Sequence, residues 1–176
     1  MEMDTEETGN IEQTLVLIKP DGIKRSLTGN IIALLSHPDT IIAASKIVKV
    51  SRDLAREHYR HLRAKPFFED LISFIVGEWH ADRVMAMVYE GPDVIARIRE
   101  KAGATNPEEA KPDSIRGKYG RIHSKTHIFE NVIHCSENLE EAEREIKLWF
   151  QPSEIVNVRF PVEHITQTTT VIRWKK

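Results

Sequence analysis

The stretch NVIHCSEN, residues 131–138, sets a histidine between an apolar pair, Val132-Ile133, and a strongly acidic segment. The apolar pair reads as the end of a short buried strand and the acidic segment as a helix. A strand-to-helix junction is a common address for active-site groups. Near neutral pH an imidazole, with an unperturbed pKa of about 6.5, is a good nucleophile. Once phosphorylated it is also a good phosphoryl donor, so a histidine can divide one transfer into two steps. A lone histidine is more often a core side chain bonded to backbone, so His134 needs partners to count.

Glu145 is the first partner. It lies on the acidic segment, and if the strand-helix turn is tight that helix can fold back and bring a carboxylate to the imidazole. A carboxylate there fixes the ring's tautomer and orientation. Glu140, Glu141 and Glu143 share the segment and read as solvated, whereas position 145 adjoins the apolar face. Lys19 ends an apolar run in LIKPDG, well placed to hold a phosphate as a point charge. Arg99, Thr105 and Arg116 flank a long loop and together suit a polyanion such as a triphosphate. Each alone reads as a solvated group. Tyr59 and Phe67 flank Lys65-Pro66, and by spacing alone both read as core.

Other arrangements carry less. His123 and His127 are four apart but lack a carboxylate or cysteine to complete a metal set. Cys135 is no dyad partner for His134, because adjacent residues on a strand point to opposite faces. The phosphate-binding G-x-x-x-x-G-K-[ST] loop and the protein-kinase motifs are absent.

The elements that must position these groups alternate along the chain. TLVLIK (14–19), TIIAASKIVKVS (40–51), RVMAMVYEG (83–91) and NVIH (131–134) read as strands. SLTGNIIALLS (26–36), DLAREHYRHL (53–62), PFFEDLISFIVG (66–77), DVIARIREKAG (93–103) and LEEAEREIKLWF (139–150) read as helices. Asp53 is the expected cap of the second helix. Asn138 with Glu141 matches a capping box on the last. Residues 104–130 carry turn signals and little periodicity. The order predicts an α+β fold: a ferredoxin-like βαββαβ sandwich, its four-stranded antiparallel sheet covered by helices on one face, with extra helices and a long loop.

The chain has 176 residues, enough for one domain. Lys and Arg number 25 against 27 Asp and Glu, a net charge of -2, so no global positive field draws it to nucleic acid. A single cysteine fits a reducing cytosol. The acidic start, MEMDTEETGN, matches neither a signal nor a transit peptide, and residues 1–11 read as a loose tail. No apolar run approaches the roughly 20 residues of a membrane helix.

The chain resembles the nucleoside diphosphate kinase family over roughly residues 12–155. TLVLIKPDGIKR resembles that family's first strand and turn, and EHYRHLRAKPFF its nucleotide-cleft helices. ATNPEEAKPDSIRG resembles its phosphate-side loop, and NVIHCSENLEEAEREIKLWF its active-site signature. The resemblance implies ping-pong transfer of a γ-phosphoryl group between nucleotides through His134. Glu145 would orient the ring, helped by Ser136, and Tyr59 would support the phosphoryl site. Lys19 would contact phosphate and ribose, with Asn131 also on the sugar. Phe67 would stack on the base beside Leu71, and Arg99, Thr105 and Arg116 would bind phosphates. It further implies Mg²⁺ carried on the nucleotide without a dedicated protein site, a cytoplasmic enzyme maintaining nucleotide pools, and a homo-oligomer, a hexamer or else a tetramer. No stable nucleic-acid or membrane partner is expected.

Against the family pattern, Cys135 replaces a glycine and Glu137 an aspartate. The turn GEWHADRV (77–84) is longer than usual and lacks a glycine-proline pair. Several residues are inserted between Arg116 and Asn131, and residues 156–176 form a C-terminal extension of the same domain. Two rival readings are a catalytically silent regulatory relative and a nucleic-acid-binding ferredoxin-like domain. The second requires a basic sheet face and exposed strand aromatics, which the strands lack.

Overall fold

A computed structural model describes residues 10–168, 170 and 174. The tail expected over 1–11 lies outside the described residues up to residue 9, and Ile11 already opens the first strand. In chain order the elements are β1 (Ile11–Ile18), α1 (Pro20–Lys24), α2 (Thr28–Leu35), β2 (Ile41–Val48), α3 (Arg52–His58), α4 (Phe68–Val76), β3 (Val84–Pro92) and α5 (Val94–Ala102). Then come α6 (Ile115–Tyr119), β4 (Arg121–Ile122), β5 (Phe129–Glu130), β6 (Ile133–Cys135) and α7 (Leu139–Trp149). Single 3₁₀ turns follow α3 and α7.

Four strands form one antiparallel sheet in the order β2-β3-β1-β6. This is the ferredoxin-like arrangement, with the first and last long-range strands side by side at one end. Helices cover both faces, not the one expected. Leu15, Leu17, Val84, Ala86 and Val88 point into a core closed by α3, α4 and α7. Val16, Ile18, Met87 and Tyr89 point into a second core under α2, α5 and α6. That is why β1 reads as an unbroken apolar run: a strand buried on both sides needs no polar alternation. Fully burying a side chain such as Phe74 or Leu15 contributes roughly 1.5–3 kcal/mol.

Two caps differ from expectation. Ser51, not Asp53, caps α3, its hydroxyl accepting from the Leu54 amide at 3.1 Å. Ser51 has the extended backbone a cap requires, whereas Asp53 lies inside the first turn, where its charge favours the helix dipole. On α7, Asn138 accepts from the Glu141 amide at 2.9 Å. The reciprocal half of the capping box is missing, because Arg144 takes the Glu141 carboxylate at 2.6 Å.

The loop over 104–130 is partly ordered into α6 and a short β4–β5 hairpin. Ser114 caps α6 through the Gly117 amide. After α7 the chain returns to the sheet. Val156 N–H bonds the carbonyl of Ala43, which sits at a bulge in β2, and Arg159 grips the buried Glu90 carboxylate at 2.9 and 3.1 Å. Among the described residues no helix is long and apolar enough to cross a membrane.

Candidate active site

β6 places the histidine. It pairs with β1 so that His134 lies opposite Leu17 and Cys135 opposite Val16. Leu17 faces one core and Val16 the other, so the two neighbours part as the strand pleat requires. Just before β6 the backbone is strained. Buried Val132 has φ of 58°, and Ile133 N–H reaches back to the Asn131 carbonyl at 2.7 Å, a γ-turn. A β-branched residue in this region is an outlier that its surroundings must hold. They do: the buried Asp21 carboxylate accepts from the Val132 amide at 3.1 Å, and Lys19 N–H bonds the Val132 carbonyl at 2.9 Å. Gly22 leaves room for that carbonyl, since a β-carbon there would lie 3.1 Å from it.

α7 folds back and delivers Glu145, buried at 2% exposure. Both carboxylate oxygens lie 3.0 Å from His134 Nε2. Ser136 Oγ donates to Glu145 at 2.7 Å and accepts from the Leu15 amide at 3.1 Å. Burial opposes ionisation of Glu145, but the adjoining His134 with its hydrogen bond, the nearby His58 and the Ser136 hydroxyl outweigh it. They hold the carboxyl at about 2. The carboxylate accepts from Nε2, so a neutral ring carries its proton there and leaves the Nδ1 lone pair free. This is the geometry of an oriented nucleophile.

His58 was not singled out by sequence. It is buried and accepts from Trp149 Nε1 at 3.1 Å through Nδ1. Its ring meets His134 edge-to-face, with centroids 4.4 Å apart. Burial first, then the neighbouring His134, lowers its pKa well below the ordinary value, so it stays neutral. The signal was present: Trp149 lies four residues beyond Glu145 on the same helix face, and His58 adjoins Tyr59.

A second chain of bonds holds the cations. Lys19 Nζ donates to Asn131 Oδ1 at 2.6 Å, and Asn131 Nδ2 donates to the Thr105 carbonyl at 2.7 Å. Burial lowers the Lys19 pKa to about 8. Arg116, also buried, donates to the carbonyls of Gly103 at 2.8 Å and Ile133 at 3.2 Å. Its Nε and the Tyr59 hydroxyl are buried with no protein partner among the described residues. Burial pushes the Tyr59 phenol well above its ordinary pKa, keeping it a protonated donor.

These groups line one cleft of about 720 Å³. Lys19, Tyr59, Phe67, Leu71, Arg99, Thr105, Arg116, Asn131, His134 and Glu145 all border it, while Ser136 stands behind Glu145. Tyr59 is core, as spacing suggested, at 6% exposure. Phe67 is not: it sits at the N-terminal end of α4 with 42% of its surface exposed. Arg99 and Thr105 are exposed. The β4–β5 hairpin also borders the cleft through Thr126, His127, Ile128 and Phe129. His123 and His127 sit on this hairpin rather than a helix, so their four-residue spacing does not stack them on one face.

Fold and site together define a carboxylate-oriented histidine in a cation-lined cleft, on a ferredoxin-like sheet. The family model for nucleoside diphosphate kinase matches residues 12–155. A nucleoside diphosphate kinase of Thermus thermophilus is 46% identical over 146 residues, covering 83% of this chain and all of that protein. One from Listeria innocua is 44% identical over 153 residues, covering 87% of this chain and 98% of its own. Among solved structures, the Borrelia burgdorferi nucleoside-diphosphate kinase with bound vanadate and ADP, a transition-state mimic, aligns with a TM-score of 0.74. It is 33% identical and covers 85% of this chain and 93% of its own. The Aquifex aeolicus enzyme aligns at 0.73 with 35% identity, covering 84% of this chain and 100% of its own. The chain belongs to the nucleoside diphosphate kinase family.

Proposed function

We propose that the chain moves the γ-phosphoryl group of a nucleoside triphosphate to a nucleoside diphosphate by way of a phosphohistidine at His134. The observation that carries this is the bond from Glu145 to Nε2, which leaves Nδ1 as the free nucleophile in a cation-lined cleft. In the first half-reaction Nδ1 attacks the γ-phosphorus, and the bond to the bridging oxygen breaks as the diphosphate leaves. In the second, a new diphosphate's terminal oxygen attacks the phosphohistidine, and Nδ1 regains its lone pair. Glu145 holds the ring and offsets the positive charge it gains while phosphorylated, with Ser136 fixing the carboxylate. Phosphoryl transfer asks mainly for such positioning and charge compensation.

Lys19, Arg99, Arg116 and Thr105 suit the phosphate oxygens, and the buried Tyr59 hydroxyl and Arg116 Nε are donors ready for them. Asn131 suits the ribose, and Phe67 with Leu71 the base. Mg²⁺ enters as part of the nucleotide substrate. Among the described residues the one group of three potential metal ligands is His58, His134 and Glu145. Two imidazoles suit an oxygen-seeking cation such as Mg²⁺ poorly. We place the enzyme in the cytoplasm as a homo-oligomer, a hexamer or else a tetramer. Residues 12–155 would be the catalytic domain, 1–11 a tail and 156–176 an extension of that domain. His134→Ala should form no phosphoenzyme from γ-labelled ATP; full exchange activity in that variant would overturn the reading.

A further inference from the structure

The helix that delivers Glu145 is also tied to the end of α3, by residues on either side of Glu145 in the chain. α3 ends at His58, and the last carbonyls of a helix lack the amides of a following turn. Arg144 of α7 reaches two of them. Its Nη1 donates to the Glu57 carbonyl at 3.3 Å and its Nη2 to the His58 carbonyl at 3.1 Å. A cation at this end of a helix also meets the negative pole of its dipole. Further along α7, Trp149 Nε1 donates to the His58 ring at 3.1 Å.

The guanidinium is held in its turn. Glu141, three residues back on α7, accepts from Nε at 3.0 Å and from Nη2 at 2.6 Å. Every nitrogen of the group is thus engaged, in a planar fork that a lysine ammonium does not reproduce. The Arg144 side chain is 16% exposed, and Nη2 lies 3.7 Å from the Glu145 carboxylate. Arg144 therefore joins three things: the helix bearing Glu145, the end of α3 and a second carboxylate that fixes the joint.

The end of α3 is where two groups of the site sit. The His58 ring meets His134 edge-on, and Tyr59, the next residue, has its ring centroid 6.2 Å from that of His134. The Tyr59 hydroxyl is buried on the cleft lining with no protein partner among the described residues. We infer that Arg144 is a positioning residue for phosphoryl transfer, tying α3 to α7 so that the Tyr59 hydroxyl keeps its place beside His134. The inference rests on the kinase reading above. Arg144 and Glu145 are neighbours on one helix, so a single rigid element sets both the orientation of the nucleophile and the donor next to it. A donor fixed in advance needs no reordering when the phosphate arrives. Releasing Arg144 leaves the other nucleotide contacts standing and loosens this one, so the loss falls on rate.

The test is a double-mutant cycle on exchange between ATP and GDP, with Arg144→Met, Tyr59→Phe and the pair, and with thermal unfolding measured alongside. Arg144→Met should lower kcat by roughly tenfold or more, the kind of loss that follows from misplacing a group by a change away from the chemistry, with KM within about twofold. In the Tyr59→Phe background the same change should cost less than about twofold in kcat, because the hydroxyl that Arg144 positions is already gone. Arg144→Lys keeps the charge without the fork and should fall between wild type and Arg144→Met; it replaces Arg144→Met in the cycle if that variant does not fold. Losses that multiply in the pair, or an unchanged kcat in Arg144→Met, would overturn the inference, leave the kinase reading intact and assign Arg144 to the stability of the α3–α7 joint alone. A raised KM with kcat unchanged would overturn it as well. A wild-type chain that forms no phosphoenzyme would overturn the kinase reading and this inference with it.

Discussion

At the His134 end of the cleft, polar side chains are buried and bonded to one another in two short chains. Glu145 joins His134 to Ser136 and the backbone of β1, and Asn131 joins Lys19 to the loop at Thr105. Elsewhere on the cleft lining Phe67 stands exposed at the start of α4. On the proposed kinase reading, the contrast follows from what each end must do. A nucleophile has to be held in one orientation before the phosphate arrives, and buried, mutually satisfied groups give that rigidity. A base has only to be stacked, which an open aromatic face accomplishes. Changes at the first end should therefore cost rate, and changes at the second should cost affinity.

Glu145→Gln probes the rigid end hardest. The amide keeps the shape but cannot balance the positive charge of the phosphorylated ring, so kcat should fall by roughly 10²-fold with little change in KM. A change in KM alone would move Glu145 out of the chemistry. At the open end, Phe67→Ala should raise KM by roughly tenfold and equally for every base, since stacking is blind to base identity. Unequal effects across GDP, ADP, CDP and UDP would show that Phe67 sorts bases as well as stacking them.

The smallest effect lies between the ends. Lys19 must be a cation to hold phosphate, and burial has lowered its pKa to about 8. Raising the pH through that value removes the charge from the free enzyme, so kcat/KM, which reports the free enzyme, should drop a few-fold above about pH 8. Lys19→Arg, which stays charged, should abolish that drop whatever it costs at neutral pH. A decline that persists in Lys19→Arg would belong to another group.

The rigid end was also the more legible one. His134 at a strand end and Glu145 on the buried edge of an amphipathic helix follow from periodicities that residue types display directly. What lay hidden depends on contacts between distant segments. Val132 looks like any strand valine, and only the Asp21 carboxylate and Lys19 amide across the sheet end reveal that it is bent into a γ-turn. His58 gains its place from Trp149, far along the chain. Phe67 read as core because an aromatic at a helix start has no periodicity to mark it as exposed. The β4–β5 hairpin is too short to alternate visibly, and its register comes from Glu130 meeting Arg121 and His80. The expectation of a sheet covered on one face failed for a related reason: a few buried strands do not tell which helices cross behind them.

The central claim is that Glu145 occupies Nε2 and so reserves Nδ1 of His134 for phosphate. It is tested most directly by locating the phosphoryl group in the isolated phosphoenzyme, using ³¹P and ¹⁵N NMR on histidine-labelled protein. The account predicts one acid-labile group, on Nδ1 of His134, discharged by GDP. A phosphoryl group on Nε2, or on any other residue, would contradict it.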